Sequence, residues 1–523
     1  MKAIRRVGAA LAAMLVMVLC AVPAFGETIT INNSSQNVSM DGQTYNAYKV
    51  FDVTYSGDAY AYTIDDDFAD FTYTPSGQGA LSGSDLVAYV SGLESDSDEL
   101  NAFAEAVRTY ITTNSIKADG TKTGTTANSV TIDVTSAGAG YYIVLGSAAA
   151  DTQEGETVVA FAALSTTNPD ATVDVKADIP TVEKEVRADN NGSASWGPYA
   201  DYEVGDTVPF RITGTIPSYA EGYDEYTYVI HDSLSVGLTL DTTSIKVYTD
   251  ANLTQELDSN NYSIATSGLG DNCSFHVTIN PDYIKGNHEA TIYVGYTATV
   301  NDDVVIYTDE NTNDTYIEFS NNPYDADSKD KTPDKQVKVY SYSFDLFKFY
   351  MDNEQQVALA GAGFRLYEDE AGNTEIPVVL VSAGNDTTAS VYRVATTEEI
   401  EKSSAVEMIT PASGLITIQG LDAGTYYLRE TTTPDGYHAL DGAIAVVITP
   451  TANETQTDVA SLTVSGSGSN VTMNGNTVQV ENLTGSLLPT TGGMGTTVFY
   501  IVGAVLVVGA GVGVVVKRRM NGQ

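Results

Sequence analysis

Short runs of β-forming residues follow one another along almost the whole chain, and they constrain its fold more than any other feature. Runs rich in Thr, Val, Tyr and Ile are separated by clusters of Gly, Asn, Asp and Ser. Alternating runs bounded by such turn residues are typical of half-buried strands. The chain is therefore predicted to be all-β, and its 523 residues call for several domains rather than one.

Two stretches with helical spacing interrupt this pattern in the first part of the chain. One covers residues 84–90 and the other residues 99–116. The second stretch carries apolar residues at a spacing that places them on one helix face, namely Leu100, Phe103, Val107 and Ile111. The first domain, residues 27–172, is therefore predicted to be a β-sandwich with a small helical insertion.

The remaining strands divide into two further domains. Residues 173–327 form the second, and the polar, proline-containing stretch 328–335 has the composition of a linker. The third domain, residues 337–483, has six or seven short strands with clear turn signals. That pattern favours an immunoglobulin-like sandwich. The fold class predicted for the whole chain is a tandem array of immunoglobulin-like β-sandwiches.

The first 26 residues have the pattern of a secretory signal peptide. Lys2, Arg5 and Arg6 precede an apolar run, and small residues at Ala24 and Gly26 provide a cleavage site. We therefore expect a secreted protein from which these residues are removed.

The other end of the chain has the pattern of a membrane anchor. Residues 498–516 are uncharged and 19 in number, long enough to cross the hydrocarbon of a bilayer as a helix. The basic run Lys517-Arg518-Arg519 follows and is expected to stay on the cytoplasmic side.

Charge and cysteine content restrict the partners of the segment between these ends. The chain has a formal net charge of −43, so its surface repels nucleic acid and anionic lipid and suits an extracellular protein. Cys20 lies in the predicted signal peptide, which leaves Cys273 alone. No intramolecular disulfide is expected, so the stability of the folded chain must come from large hydrophobic cores or from a cross-link other than a disulfide.

Leu488-Pro489-Thr490-Thr491-Gly492, followed by the apolar run and the basic tail, resembles the cell-wall sorting signal of Gram-positive surface proteins. In that family a sortase cleaves the Thr–Gly bond and transfers the Thr carboxyl to an amine. The resemblance implies cleavage between Thr491 and Gly492 and anchoring to peptidoglycan. Residues 488–523 would then be the sorting signal.

The third domain carries a second family motif. Tyr426-Tyr-Leu-Arg-Glu-Thr431, with Pro434-Asp-Gly-Tyr437 after it, resembles the E-box of B-type collagen-adhesin domains. The resemblance implies an amide cross-link between Lys348 and Asn482, with Glu430 as the acid that transfers protons. An apolar pocket would favour this chemistry, because burial raises the pKa of a carboxyl and lowers that of an amine.

The second domain resembles the isopeptide-forming central domain of Gram-positive fimbrial subunits in residues 178–186, 226–238 and 316–323. The resemblance implies that Lys184 is the amine and Asp232 the catalytic acid. Asn321 is the expected amide partner because it ends the last predicted strand. Asn322 and Asn313 remain alternatives.

The boundary of the first two domains holds a candidate acceptor lysine. Lys176 stands where backbone pilins carry the lysine of a Val-x-Val-Tyr-Pro-Lys motif, although the Tyr-Pro pair is missing here. Lys117 and Lys122 are exposed alternatives. In the first domain Leu145 and Gly146 replace the E-box Glu, so no cross-link of the same kind is expected there.

Together these motifs resemble a sortase-assembled major pilin, and the resemblance implies a structural role. The chain would be the shaft subunit of a covalent surface pilus, joined head to tail through Thr491. Its partners would be pilin-type and housekeeping sortases, other copies of itself, minor pilins, peptidoglycan and a host ligand. The alternative is a monomeric wall-anchored adhesin or an ancillary pilin that binds a host ligand.

The sequence gives little support for an enzyme acting on an external substrate. It has no GxSxG motif and no evident Cys/His pair. Its four histidines show no metal-ligand spacing, so neither a metal nor a cofactor is expected; they are His231, His276, His288 and His438.

Overall fold

The computed structural model describes part of the chain between residues 28 and 485, namely residues 28–33, 38–56, 59–94, 97–146, 148–150, 157–158, 164–165, 171–174, 178–188, 194–218, 220, 223, 225–323 and 325–485. The predicted signal peptide, Lys176 and the sorting signal with its apolar run lie outside these residues. Within them, no helix combines the length and apolar character needed to cross a membrane.

The first unit is built from small sheets and two helices. In chain order its strands are β1 (Thr28–Asn32), β2 (Val38–Ser39), β3 (Thr44–Ser56), β4 (Ala59–Ile64), β5 (Gly120–Thr123), β6 (Ser129–Asp133), β7 (Gly140–Leu145), β8 (Ala148–Ala150), β9 (Thr157–Val158), β10 (Leu164–Ser165) and β11 (Ala171–Asp174). The sheet orders are β11-β1-β6, β10-β7-β3-β4 with β5 beside β3, and β2-β8-β9.

The helical insertion predicted for this unit is confirmed. Helix α1 (Gly83–Ser91) and helix α2 (Asp98–Asn114) lie between β4 and β5. The Ser97 hydroxyl accepts a hydrogen bond from the Leu100 amide at 3.2 Å and so caps the start of α2. All four apolar residues that predicted the helix face are buried, because that face packs on the core of the unit.

The second unit is a sandwich of two sheets. Its strands are β12 (Val182–Ala188), β13 (Ser195–Gly197), β14 (Tyr199–Asp201), β15 (Thr207–Thr215), β16 (Tyr228–Leu234), β17 (Leu238–Leu240), β18 (Lys246–Tyr248), β19 (Tyr262–Ala265), β20 (Phe275–Ile279), β21 (Thr291–Val300), β22 (Asn311–Ser320), β23 (Lys329–Lys331) and β24 (Lys335–Tyr340), with helix α3 (Pro281–Gly286) before β21. Sheet A has the order β13-β12-β15-β21-β17, and sheet B has the order β14-β24-β22-β16-β20-β19.

The polar stretch expected as a linker takes part in this sandwich. Strand β23 pairs with β22, and β24 pairs with both β22 and β14. Only Ser341 separates β24 from the first strand of the third unit. The chain therefore passes from one sandwich to the next without a free spacer.

The third unit is also a two-sheet sandwich. Its strands are β25 (Tyr342–Asp352), β26 (Gln355–Ala358), β27 (Gly363–Tyr367), β28 (Glu375–Ile376), β29 (Val378–Ser382), β30 (Ser390–Val394), β31 (Met408–Ile409), β32 (Leu415–Leu421), β33 (Gly424–Thr432), β34 (Ile444–Ala452), β35 (Val459–Ser467), β36 (Val471–Asn474) and β37 (Thr477–Glu481), with helix α4 (Thr397–Glu401) before β31. Sheet C has the order β29-β30-β32-β25-β37-β36, and sheet D has the order β28-β27-β33-β34-β35.

The alternation of these strands places one side-chain row of each sheet in the core. Strand β25, for example, buries Tyr342, Phe344, Leu346 and Lys348 in turn. Successive side chains of a strand point to opposite faces, so a lysine in this row must enter the sandwich interior. The all-β class predicted from the sequence is confirmed.

Candidate functional site

The third unit holds a buried cluster made by Lys348, Asn482 and Glu430. Strand β25 pairs in parallel with the last strand β37, which places Lys348 opposite Val480. The backbone N–H of Asn482 donates to the backbone carbonyl of Phe349 at 2.9 Å, and this hydrogen bond fixes Asn482 just beyond β37. In this position the Lys348 ammonium donates to Asn482 Oδ1. First and last strands of the unit thus meet at these two side chains.

Glu430 reaches the same point from β33, in the facing sheet. Its Oε1 accepts a hydrogen bond from Asn482 Nδ2 at 2.9 Å and lies 3.5 Å from Lys348 Nζ. Its Oε2 accepts from the Leu440 amide at 3.0 Å and from the Thr433 hydroxyl at 3.1 Å. One carboxyl oxygen is held by the protein, and the other contacts both groups that would react.

The cluster is closed to solvent. The side chain of Lys348 is 0% exposed and that of Glu430 is 1% exposed. The Phe364 ring covers the amine, with 5.7 Å between Lys348 Nζ and the ring centroid. Burial lowers the pKa of Lys348 to about 8, although the Glu430 carboxylate acts in the opposite direction. A neutral amine, which is the nucleophilic form, is therefore accessible near neutral pH.

The second unit contains a comparable cluster that spans sheets A and B. Lys184 lies on β12 of sheet A and donates to Asp232 on β16 of sheet B. Tyr296 on β21 accepts from Lys184 Nζ at 3.0 Å and donates to Asp232 Oδ1 at 3.0 Å. Asn313 on β22 completes the cluster, since its Nδ2 donates to the Tyr296 hydroxyl at 2.7 Å.

Burial favours the neutral forms of this pair. The side chains of Lys184 and Asp232 have no exposed surface. Burial lowers the pKa of Lys184, against the attraction of Asp232, and raises the pKa of Asp232 to about 6. The Asn313 carbonyl oxygen Oδ1 is buried and has no hydrogen-bond partner among the described residues. That oxygen is the atom that a neutral acid would polarise.

Asn321, the expected partner of Lys184, lies elsewhere. Asp232 is opposite Thr315 in the pairing of β16 with β22. Asn321 follows the end of β22, six residues beyond Thr315, which is about 20 Å along an extended chain. Its Oδ1 accepts from the Ser328 hydroxyl at 2.7 Å. The placement expected for Asn321 is therefore wrong, and Asn313, one of the two alternatives, is the asparagine that the structure brings to this cluster.

The reason for this error lies in the start of β22. Residues 311–315 read Asn-Thr-Asn-Asp-Thr, a composition typical of a turn. In the structure the strand begins at Asn311, and its inward row is Asn311, Asn313, Thr315, Ile317 and Phe319. Tertiary packing overrides the local propensity here. Tyr296 was missed as well, because a tyrosine in an alternating strand predicts only a core position.

The fold also brings together a group of side chains that sequence spacing did not reveal. Strand pairing places His231 directly opposite His276, and the preceding loop adds Asp271 and Cys273. Residues that are 45 positions apart in the chain become neighbours through the pairing of β16 with β20. Strand register cannot be read from sequence spacing.

Comparisons with known proteins agree with the two sandwich units. Residues 204–323 match the family model of the Gram-positive pilin backbone subunit 2, Cna-B-like domain. Residues 348–461 match the family model of the SpaA prealbumin-like fold domain. The chain is 22% identical over 388 residues to the trypsin-resistant surface T6 protein of Streptococcus pyogenes serotype M6, covering 66% of this chain and 70% of that protein.

Two solved pilin structures are among those to which this chain is similar. The T6 backbone pilin of serotype M6 Streptococcus pyogenes covers 89% of this chain and 100% of its own, at 19% identity and a TM-score of 0.48. The full-length major pilin SpaD from Corynebacterium diphtheriae covers 88% and 98%, at 14% identity and a TM-score of 0.47.

The fold and the buried lysine clusters define a protein of tandem Cna-B-like and prealbumin-like β-sandwiches. The matches to the pilin backbone subunit 2 model and to the SpaA model support a Gram-positive backbone pilin.

Proposed function

We propose that this chain is the shaft subunit of a covalent pilus and that autocatalytic Lys–Asn bonds staple its second and third units. The observation that carries the proposal is the presence of two buried Lys–acid–Asn clusters, each between facing sheets. A buried ion pair alone is a poor way to stabilise a core, because desolvation offsets its attraction. A chemical use of the lysine accounts for its burial better.

The proposed reaction in the third unit joins Lys348 Nζ to Asn482 Cγ. The neutral amine attacks the carboxamide carbon, and Glu430, which contacts both Lys348 Nζ and Asn482 Nδ2, takes a proton from the amine. The bond from Cγ to Nδ2 then breaks, and the nitrogen leaves as ammonia after Glu430 has passed it a proton from the amine. The products are a neutral amide and free ammonia, so the lysine can no longer carry a buried positive charge. Close packing of the two groups supplies the high effective concentration.

The second unit is proposed to react in the same way, with Lys184 as the amine, Asn313 as the carboxamide and Asp232 as the acid. The Tyr296 hydroxyl contacts all three side chains. It would align the amide with the amine while Asp232 transfers the protons.

Peptide mapping of the purified full-length chain tests both bonds. Digestion should release one branched peptide that links Lys348 to Asn482 and another that links Lys184 to Asn313. Each should weigh about 17 Da less than the sum of its two linear parts, the mass of one ammonia. Linear peptides alone, at their unshifted masses, would refute the bonds.

The shaft assignment also requires joining between copies. We propose that a sortase cleaves after Thr491 and transfers its carboxyl to Lys176 of another copy. A head-to-tail contact of this kind does not close on itself and generates a fibre. Extracts of the producing cells, boiled in detergent, should give an immunoblot ladder of high-mass species. A single band near the monomer mass would instead favour the wall-anchored adhesin.

Lysine variants in the producing cells test the acceptor. Lys176→Arg should abolish the ladder, whereas Lys117→Arg and Lys122→Arg should keep it. These two control positions are exposed in the first unit. A ladder that survives in Lys176→Arg and is lost in one of the others would move the acceptor to that position.

A further inference from the structure

The outer face of strand β16 carries a second cluster, which the proposed cross-links do not use. His231 precedes Asp232 and therefore points away from the sandwich core. It lies opposite His276 of β20, with 4.0 Å between the two ring centroids. Tyr316 of β22 stacks on the His231 ring at 4.4 Å and 9°. The two imidazoles are held side by side on one face of sheet B.

The loop between β19 and β20 adds two further donor groups to this pair. Asp271 Oδ2 lies 3.0 Å from His231 Nδ1 and 3.0 Å from His276 Nε2. Cys273 Sγ lies 3.7 Å from His231 Nδ1. One donor atom from each of the four side chains falls within 4.8 Å of all the others.

We propose that His231, Asp271, Cys273 and His276 form a binding site for one zinc-type divalent metal ion. Tetrahedral zinc bound by sulfur and nitrogen places these two donors about 3.6 Å apart, given its usual bond lengths. The separation of Cys273 Sγ from His231 Nδ1 is 3.7 Å. Two imidazoles, a thiolate and a carboxylate are donors that zinc accepts, whereas calcium and magnesium prefer oxygen ligands alone.

The arrangement is more than a cluster of exposed acids. The His231 side chain is only 8% exposed, and its Nε2 has no hydrogen-bond partner among the described residues. Its ring is therefore oriented through Nδ1, toward Asp271 and Cys273. Without an ion, both imidazoles must share one carboxylate. A metal would satisfy all four donors together.

The site would act as a staple on the outside of the second unit. It would connect the loop that precedes β20 to the middle of β16. The β16 ligand, His231, is the residue next to Asp232, which contacts Lys184 on the inner face of the strand. A chain with a single cysteine outside its predicted signal peptide cannot use a disulfide for this purpose. Metal binding would stabilise the folded state by mass action, because the unfolded chain lacks the preformed site.

Cobalt titration of the purified full-length chain, without a histidine tag and with its thiol kept reduced by a phosphine, tests the proposal. Saturation at one Co²⁺ per chain is expected, with the visible bands of tetrahedral cobalt and a thiolate charge-transfer band. Added Zn²⁺ should bleach both. Cys273→Ser should abolish the charge-transfer band and weaken Zn²⁺ binding at least about tenfold. His288→Ala, an exposed histidine of the same unit outside the cluster, should bind as the parent does.

A chain that gives no saturable tetrahedral cobalt spectrum would overturn the metal site. The four side chains would then form hydrogen bonds only. Equal Zn²⁺ affinity in the parent and in Cys273→Ser would also overturn the metal site. Should Cys273→Ser change the circular dichroism of the chain, Asp271→Asn provides the second test, and it must also bind Zn²⁺ at least about tenfold more weakly. Saturable binding of Ca²⁺ with no binding of Zn²⁺ would equally reject the donor assignment.

Discussion

Tyr296 is the residue that most distinguishes the two lysine clusters. In the third unit Glu430 contacts both the amine and the amide directly. In the second unit the Asn313 amide instead donates to the Tyr296 hydroxyl, which also contacts Lys184 and Asp232. The tyrosine therefore occupies the position through which the amide is aligned. Two clusters with the same proposed product differ in the group that holds the leaving nitrogen.

Replacing Tyr296 with Phe should slow the bond in the second unit and leave the third-unit bond unchanged. Loss of a buried hydrogen-bonding hydroxyl costs about 1–3 kcal/mol, so the rate should fall roughly tenfold or more. Timed peptide mapping of freshly translated chain measures both bonds in one sample. Tyr293→Phe, three residues earlier on the same strand and facing the other side, should react at the parent rate. An unchanged rate in Tyr296→Phe would deny the hydroxyl an aligning role.

The Lys348 amine gives the third-unit reaction a defined pH dependence. Its pKa is lowered from 10.5 to about 8 by burial. Below that value the neutral, reactive fraction of the amine grows about tenfold for each pH unit. We expect the rate of Lys348–Asn482 bond formation to rise steeply from about pH 6 to 8 and to level off above. The rate is measured by transferring newly made chain to buffers of different pH. A rate that falls with rising pH would contradict attack by the neutral amine.

Strand β22 determines which asparagine reaches Lys184. Its alternation buries Asn313 beside Tyr296, whereas Asn321 lies past its end near Ser328. A one-residue shift in register would turn the whole row outward. The pairing of β22 with β16 and with β24 on its other side fixes that register.

A pair of alanine variants tests this assignment. Asn313→Ala should eliminate the second-unit branched peptide, because it removes the carboxamide that the amine would attack. Asn321→Ala should retain the branched peptide at the parent level. Peptide mapping under identical digestion separates the two outcomes, and the third-unit bond is the internal control. If the branched peptide were lost in Asn321→Ala but kept in Asn313→Ala, Asn321 would be the partner of Lys184, as the sequence predicted.

The second and third units are joined by more than the short passage at Ser341. The Val204 amide donates to the Gly420 carbonyl at 3.0 Å, and Asp201 accepts from the Ala423 amide at 2.7 Å. Lys338 of β24 also forms an ion pair with Asp458 of the third unit at 2.8 Å. These contacts link the two sandwiches at a buried boundary rather than through a flexible tether.

Glu203 at this boundary makes stability depend on pH. Burial, together with Asp422 and Asp206, raises the pKa of its carboxyl from 4.5 to about 8. Between these values the folded chain binds more protons than the unfolded chain, so the free energy of unfolding falls as pH rises. The contribution is fully favourable below about pH 4.5 and is lost through about pH 8.

Glu203→Gln should flatten this dependence. The variant keeps the shape of the side chain and removes its ionisation, so its melting temperature should exceed that of the parent most clearly near pH 8. Calorimetry of the full-length chain between about pH 5 and 8.5 measures the difference. Glu401→Gln, an exposed position in α4, should follow the parent curve. A parallel pH dependence in Glu203→Gln and the parent would show that this carboxyl is not responsible.

The proposed cross-links would act on the stability of the whole molecule. Lys348 and Asn482 are 134 residues apart in the chain. By analogy with a disulfide, closing a loop of this length restricts the unfolded chain by about 4–5 kcal/mol. Since the Lys348–Asn482 bond would join the first and last strands of its sandwich, tension along the third unit would pass through a covalent bond rather than through strand pairing.

The sequence by itself determined the β class, the two helices and the third-unit cluster. Alternation and turn residues are local signals, and the E-box motif carries Glu430 at a recognisable place. Lys348 and Asn482 were implied by the resemblance to B-type collagen-adhesin domains, in which the lysine lies on the first strand and the asparagine at the end of the last. The helix that contains Leu100 and Phe103 was likewise visible in local spacing alone.

The tertiary structure decided everything that depends on strand register. Asn313 rather than Asn321 faces Lys184, Tyr296 lies between them, and His231 meets His276 across two strands. None of these contacts leaves a signal in sequence spacing. Each depends on the exact register, to a single residue, between strands that are far apart in the chain. That precision comes from packing the whole sandwich, whose inward rows fix the register of each strand.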